Sequence, residues 1–156
     1  GEGHGKSTAA IGNAIRYASE GKSVIIIQFL KGKNENELAF LNRLEPEIKI
    51  FRFAKSDESF EELSEQEQQE EAMNLRNGFN YGKKVVTTAA CDMLILDEVL
   101  GVIDEKVVTP QEMQELFENK PDDMTLICTG RVLEDSIRPY ADEIYNIAPE
   151  KIRIDE

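Results

Sequence analysis

Hydrophobic and polar positions near the start of the chain follow first a helical and then a strand-like pattern. Residues 6–20 carry apolar side chains at helical spacing, and Gly21 is a typical helix terminator. The next segment, SVIIIQFL at 23–30, is an almost continuous β-branched run, which is typical of a strand buried on both faces of a parallel sheet. A helix followed by a buried strand indicates an α/β protein.

The middle of the chain continues this alternation. A short helix is predicted at 35–43, a half-buried strand at 47–53 and a polar loop at 55–62. Ser64 and Glu67 have the spacing of a capping box, in which each side chain binds the other residue's amide at a helix start. We therefore expect a long helix that runs to about residue 90.

The remaining segments alternate in the same way. Strands are predicted at 91–98, 124–130 and 142–147, with a helix at 110–118 after a Thr109-Pro110 start and a helix at 131–141 bent by Pro139. Such alternation predicts an α/β fold with a mostly parallel sheet flanked by helices, built as a single domain over residues 1–156.

Composition narrows the class of protein. The 156 residues include 31 Asp and Glu against 18 Lys and Arg, giving a net charge of -13 that repels nucleic-acid backbones. No apolar run approaches the roughly 18 residues needed to span a bilayer. Cys91 and Cys128 form neither a disulfide framework nor a metal-binding pair, so we expect reduced thiols in a soluble cytoplasmic protein.

The first eight residues, GEGHGKST, are typical of a phosphate loop. Gly3 and Gly5 allow backbone amides to point at an anion, Lys6 supplies a cation, and a helix begins there with its positive end toward the ligand. We predict that nucleotide binding involves a run of residues within this loop: Gly3, His4, Gly5, Lys6, Ser7 and Thr8. Phosphate loops follow the first strand of a sheet, so we also expect about five to seven apolar residues upstream of Gly1, in a first strand that this chain lacks.

A second motif supplies carboxylates. The run MLILDE is a buried strand ending in Asp97 and Glu98, the pattern of a Walker B element that holds Mg²⁺ directly or through water. Ser7 is the expected hydroxyl ligand of the same ion. Together the two motifs predict a magnesium-nucleotide site and a P-loop NTPase architecture of the RecA-like kind.

A third motif, Thr129-Gly130-Arg131, follows the next strand. Ligands of open α/β sheets bind beyond the carboxyl ends of the strands, so Arg131 is a candidate to clamp a triphosphate. We name Lys6 and Arg131 as the candidate catalytic residues. Gln28, at the end of SVIIIQFL, belongs to the same predicted edge.

The order GxGKST, IIIQFLKG, LILDE and TGR resembles the ATP:corrinoid adenosyltransferases of the P-loop type, over residues 1 to about 147. The resemblance implies transfer of the 5′-deoxyadenosyl group of ATP to the Co(I) of a reduced corrinoid, with triphosphate as the leaving group. It also implies Mg²⁺ as cofactor, ATP and a corrinoid as substrates, and a homodimer. Residues Gly3 to Thr8 except His4 match the family's phosphate loop, Asp97 and Glu98 its acidic strand end, and Arg131 its TGR.

Two other readings of the same motifs remain open. Family members tend to carry aromatic residues after the third strand of the family fold. The corresponding segment here, KSDESFEELSE at 55–65, has Phe60 as its single aromatic residue. The chain could therefore be a nucleotide-binding regulatory or scaffold protein without a corrinoid site. Alternatively, Glu98 could polarise a water molecule, as in P-loop ATPases.

Overall fold

A computed structural model describes residues 5–29, 39–56, 58–148 and 150. In these ranges, four strands form one parallel sheet in the order β2-β1-β3-β4, with Val24–Gln28 as β1, Ile48–Arg52 as β2, Met93–Asp97 as β3 and Thr125–Cys128 as β4. The α/β prediction with a parallel sheet is confirmed. Parallel order places the carboxyl ends of all four strands at one edge, called here the carboxyl edge.

Helices cover both faces of the sheet. The α-helices whose bounds lie within the described residues are α1 (Lys6–Ser19), α2 (Glu65–Thr87), α3 (Val99–Asp104) and α4 (Pro110–Asn119). Alternate strand residues supply two cores: Val24, Ile26 and Ile95 pack with Ala10 and Ala14 of α1, and a larger core lies on the α2 face. Because side chains alternate along a strand, Gln28, Arg52 and Asp97 belong to the α1 face.

The predicted capping box at Ser64 is present, and a second capping box lies at the predicted helix start at Thr109. The Ser64 hydroxyl accepts from the Glu67 amide at 3.3 Å, and Thr109 and Glu112 make the equivalent pair at the start of α4. The long helix therefore begins where the sequence predicts, and it ends at Thr87, three residues before the expected limit of about 90. These helix starts could be predicted from the sequence because a capping box consists of two residues three positions apart in the chain.

Within 35–43, residues 35–38 lie outside the described residues, 39–41 are helical, and a 3₁₀ turn follows at Asn42–Leu44. In the predicted loop at 55–62, residue 57 lies outside the described residues, and the others are irregular apart from a 3₁₀ turn at Phe60–Glu62. Helix α3 was not predicted. Its six residues, VLGVID, follow Asp97 and Glu98, and so short a run does not reveal its period.

The predicted helix at 131–141 is wrong. The segment is irregular and contains only a 3₁₀ turn at Arg138–Tyr140. Pro139 has no amide hydrogen and disfavours helical geometry at the residue before it. Ile137 is buried while Val132 is 55% exposed, so the apolar residues of this segment do not form one buried stripe.

The predicted strand at 142–147 is also wrong. These residues are described and irregular, and Ile144 and Tyr145 are exposed. A strand requires a neighbour that completes its hydrogen-bond ladder, and among the described residues β4 is the last member of the sheet on this side. Alternation of apolar and polar side chains over six residues was insufficient evidence of a strand.

Candidate active site

Asp97 is the centre of a polar cluster at the carboxyl edge. It is the last residue of β3 and is 8% exposed. Its Oδ1 atom accepts hydrogen bonds of 2.8 Å from the Ser7 hydroxyl and of 2.8 Å from the Thr129 hydroxyl. Three elements therefore converge on one carboxylate, namely the start of α1, the end of β3 and the residue after β4.

Lys6 and Glu98 form an ion pair beside this cluster. The Lys6 Nζ lies 3.4 Å from Glu98 Oε1, and both side chains are largely buried. Glu98 has a positive φ of 64°, a strained conformation for a residue with a Cβ, and its amide donates to the Thr129 hydroxyl at 2.9 Å. Such strain is typical of functional sites, where surrounding contacts hold it in place.

Thr129 thus has two contacts that the sequence did not reveal. Its hydroxyl donates to Asp97 and accepts from the Glu98 amide, so it orients both acidic residues. The TGR motif at the end of a strand was the sequence feature that pointed to Thr129. Its contact with Asp97 could not be predicted from that motif, because it depends on β3 and β4 being neighbours in register. Next to it, Gly130 has no space for a side chain, because a Cβ would lie 2.2 Å from the Leu100 Cβ in α3.

The predicted phosphate loop is described only from Gly5 onward, and Gly3 and His4 lie outside the described residues. Gly5 precedes α1 with a φ of +100°, which glycine adopts without the steric cost of a Cβ. Thr8 is exposed in the first turn of α1. Ile147 lies nearby, with its Cγ2 atom 3.9 Å from the position of a Gly5 Cβ, so the segment around 147 passes next to the loop.

A small cleft opens next to Ser7 and Asp97. It is shallow, and Gln28 completes its polar rim. Its walls are apolar side chains from α1, the strands and the segment before β2, including Ala10, Leu41 and Ile50. The arrangement offers a polar anchoring point above an apolar wall.

The oxygen donors at this position fit Mg²⁺. The Ser7 hydroxyl and the Asp97 carboxylate are hard oxygen ligands held 2.8 Å apart, and Mg²⁺ in nucleotide sites usually takes one or two protein oxygens together with phosphates and waters. Within the described ranges, no group of three or more His, Cys, Asp or Glu side chains could form a metal site. That finding is compatible with an ion held mainly by its nucleotide.

Arg131 is the last of the candidate site residues, and the two cysteines are the other reactive side chains to be placed. Arg131 is exposed immediately after Gly130, and no hydrogen bond or ion pair joins it to another described residue. Cys91 and Cys128 are free thiols. Burial raises the pKa of Cys91 to about 11 and that of Cys128 to about 12, which disfavours the thiolate form that a nucleophilic cysteine requires.

Comparison with known proteins identifies the family. The model of the family described as "ATP:corrinoid adenosyltransferase BtuR/CobO/CobP" matches residues 1–156. The corrinoid adenosyltransferase of Escherichia coli (strain K12) is 28% identical over 99% of this chain and 76% of its own length. Corrinoid adenosyltransferase CobA of Salmonella typhimurium (strain LT2) is 29% identical over the same shares. These matches confirm the family resemblance, the fold class and the activity expected from the sequence. The chain belongs to the ATP:corrinoid adenosyltransferase family.

Proposed function

We propose that this protein transfers the 5′-deoxyadenosyl group of Mg-ATP to the Co(I) of a reduced corrinoid, acting as a single domain. Co(I) supplies the electron pair of the new cobalt-carbon bond. The bond between the 5′ carbon and its oxygen breaks, and its electron pair leaves with the triphosphate. Family membership supports the reaction, and the convergence of Ser7, Asp97 and Thr129 at the carboxyl edge supports the position of the nucleotide.

This reaction requires binding and positioning, not a general acid or base. The leaving triphosphate carries several negative charges, so catalysis depends on fixed donors and cations around it. In our proposal Gly3, His4, Gly5 and Thr8 contribute loop contacts to the phosphates and Lys6 supplies the cation. Arg131 adds a second positive charge from the end of β4.

Magnesium, when bound, would neutralise phosphate charge and help to orient the chain of phosphates. We propose that Ser7 and Asp97 hold it directly, with Glu98 contacting it through water. The Lys6–Glu98 pair of 3.4 Å keeps the lysine at the site before the nucleotide arrives. Phosphate oxygens would then compete with Glu98 for the Lys6 ammonium group.

The setting of the protein is also part of the proposal. We propose that the protein is a cytoplasmic homodimer. We also propose that it does not bind nucleic acid, because its net charge of -13 repels polyanions. None of the helices in the described ranges combines the length and hydropathy needed to cross a bilayer.

An anaerobic assay tests the reaction. Purified protein receives Mg-ATP and chemically reduced cobalamin, and the absorbance of the corrinoid and the phosphate products are followed together. We expect adenosylcobalamin and one triphosphate per product. Release of inorganic phosphate without a corrinoid product would instead identify an ATPase, and ATP binding without turnover would identify a regulatory nucleotide-binding protein.

A further inference from the structure

Gln28 and Arg52 form a second polar pair at the carboxyl edge. Gln28 ends β1, which lies next to β3, and Arg52 ends β2, two strands away from Asp97. Gln28 is in register with Asp97 on one side and with Arg52 on the other, so the three residues form a row across β3, β1 and β2. Strand alternation puts all three on the α1 face. With strands about 4.8 Å apart, Arg52 begins about 10 Å from Asp97.

The positive charge of Arg52 has a neutral partner. Its Nε donates a long hydrogen bond of 3.4 Å to Gln28 Oε1, and Gln28 is 8% exposed. Over the part of the chain that the structure describes, no carboxylate forms an ion pair with Arg52, whereas Arg76 and Arg138 each pair with an acidic residue. The other described arginines without an ion pair are exposed, namely Arg16, Arg43 and Arg131. In a chain with 31 acidic and 18 basic side chains, a half-buried arginine facing only an amide retains its charge for a ligand.

The chain around Arg52 is held on its opposite side. Glu71 of α2 is 7% exposed, and its two oxygens accept from the amides of Lys55 at 2.9 Å and of Ser56 at 2.6 Å. Phe53, adjacent to Arg52, has its ring 6.0 Å from that of Tyr81 on the same helix. The α2 face therefore fixes the end of β2, while Arg52 belongs to the α1 face, where the cleft opens.

We propose that Arg52, oriented by Gln28, is a substrate-binding residue that recognises a phosphate group of one of the two substrates at the carboxyl edge. A guanidinium whose Nε is already engaged keeps its two terminal nitrogens, which suit the paired oxygens of a phosphate. The proposal rests on the proposed adenosyl transfer. Two phosphates are available in that reaction, the triphosphate of ATP and the phosphodiester of a complete corrinoid such as cobalamin.

The test compares Arg52→Met, which removes the charge, with Arg52→Lys, which keeps it but loses the planar fork. Arg16→Met is the matched control, because Arg16 is exposed in the last turn of α1, away from the carboxyl edge. Thermal unfolding first establishes that each variant is folded. ATP binding is then titrated by calorimetry with Mg²⁺ present, and KM and kcat are measured with reduced cobalamin and with reduced cobinamide, which lacks the phosphodiester.

We expect Arg52→Met to weaken the binding of one substrate by about ten- to a hundredfold with little change in kcat. Arg52→Lys should recover part of this binding. A loss for ATP alone identifies the triphosphate as the ligand, and a loss for cobalamin but not for cobinamide identifies the phosphodiester. Equal losses for cobalamin and cobinamide, or values that match Arg16→Met throughout, would overturn the proposal.

The wild-type protein separates this proposal from the proposed function. If it forms no adenosylated corrinoid, adenosyl transfer fails, and the role of Arg52 is then decided by the ATP titration alone. Weaker ATP binding in Arg52→Met would still support a phosphate contact. Unchanged ATP binding in that case would reject it.

Discussion

On the α1 face of the carboxyl edge, Asp97 is held by Ser7 and Thr129 beside the Lys6–Glu98 ion pair, whereas Arg52 has only the amide of Gln28. In the first region, protein groups already satisfy the charges, and a ligand must take over existing contacts. In the second, the charge lacks an ionic partner among the described residues. The difference suggests a preorganised metal-phosphate position next to an open position for another anionic group.

The largest effect is expected from Lys6→Ala, which removes the cation of the proposed phosphate loop. We expect the loss of measurable ATP binding in a calorimetric titration. Lys22→Ala is a matched control, because Lys22 also pairs with a glutamate, at 3.6 Å from Glu20, but beyond the other end of α1. An unchanged titration in Lys6→Ala would contradict the phosphate-loop assignment.

Asp97→Asn should have the next largest effect. The amide keeps an oxygen for the Ser7 and Thr129 hydroxyls but loses the charge that attracts Mg²⁺, which is worth several kcal/mol in metal-assisted reactions. We expect adenosylation to fall by about a hundredfold or more. Asp92→Asn is the control. Asp92 lies at the other end of β3 and accepts a hydrogen bond from the Ser23 amide at 2.8 Å, so this variant should remain active. Equal activity of the two variants would reject the magnesium assignment.

Thr129→Val tests whether the first region is held by its hydroxyl. Valine keeps the shape but leaves the Glu98 amide without its hydroxyl acceptor and leaves Asp97 with the Ser7 hydroxyl alone of its two hydroxyl donors. This loss should lower the free energy of unfolding by about 1–3 kcal/mol. Thr129→Ser retains the hydroxyl and should recover most of this stability. Denaturant unfolding of the three proteins measures the difference, and a stable Thr129→Val variant would show that the hydroxyl is dispensable.

Glu71→Ala tests the support of the second region, with the smallest expected effect on activity. Loss of the acceptor for the Lys55 and Ser56 amides should destabilise the protein by about 1–3 kcal/mol and speed hydrogen exchange at those two amides. Glu70→Ala is the control, since Glu70 is an exposed neighbour on the same helix. Equal exchange rates in both variants would mean that Glu71 does not anchor this loop.

Much of the fold was predictable because its signals are local. The buried run before Gln28 and the capping box at Ser64 are encoded within a few residues, and both structures appear where expected. The segments at 131–141 and 142–147 were mispredicted because their conformation depends on Pro139 and on a neighbouring strand.

The candidate site was predictable in its motifs but not in its contacts. Ser7 and Asp97 belong to recognisable patterns, and the structure brings them within 2.8 Å. The hydrogen bonds of Thr129 and the pairing of Gln28 with Arg52 depend on strand order and register, which a single sequence does not contain. Residues that orient the site across strands therefore emerge only from the fold.

The most direct test of the central claim, that Mg-ATP occupies the Asp97 region, is a titration of ¹⁵N-labelled protein with Mg-ATP followed by amide chemical shifts. We expect the largest changes at Ser7, Glu98 and Thr129, and little change at Ser23 and Asp92 beyond the amino ends of the strands. Changes confined to the amino ends, or none at the three carboxyl-edge amides while ATP binds, would contradict the account.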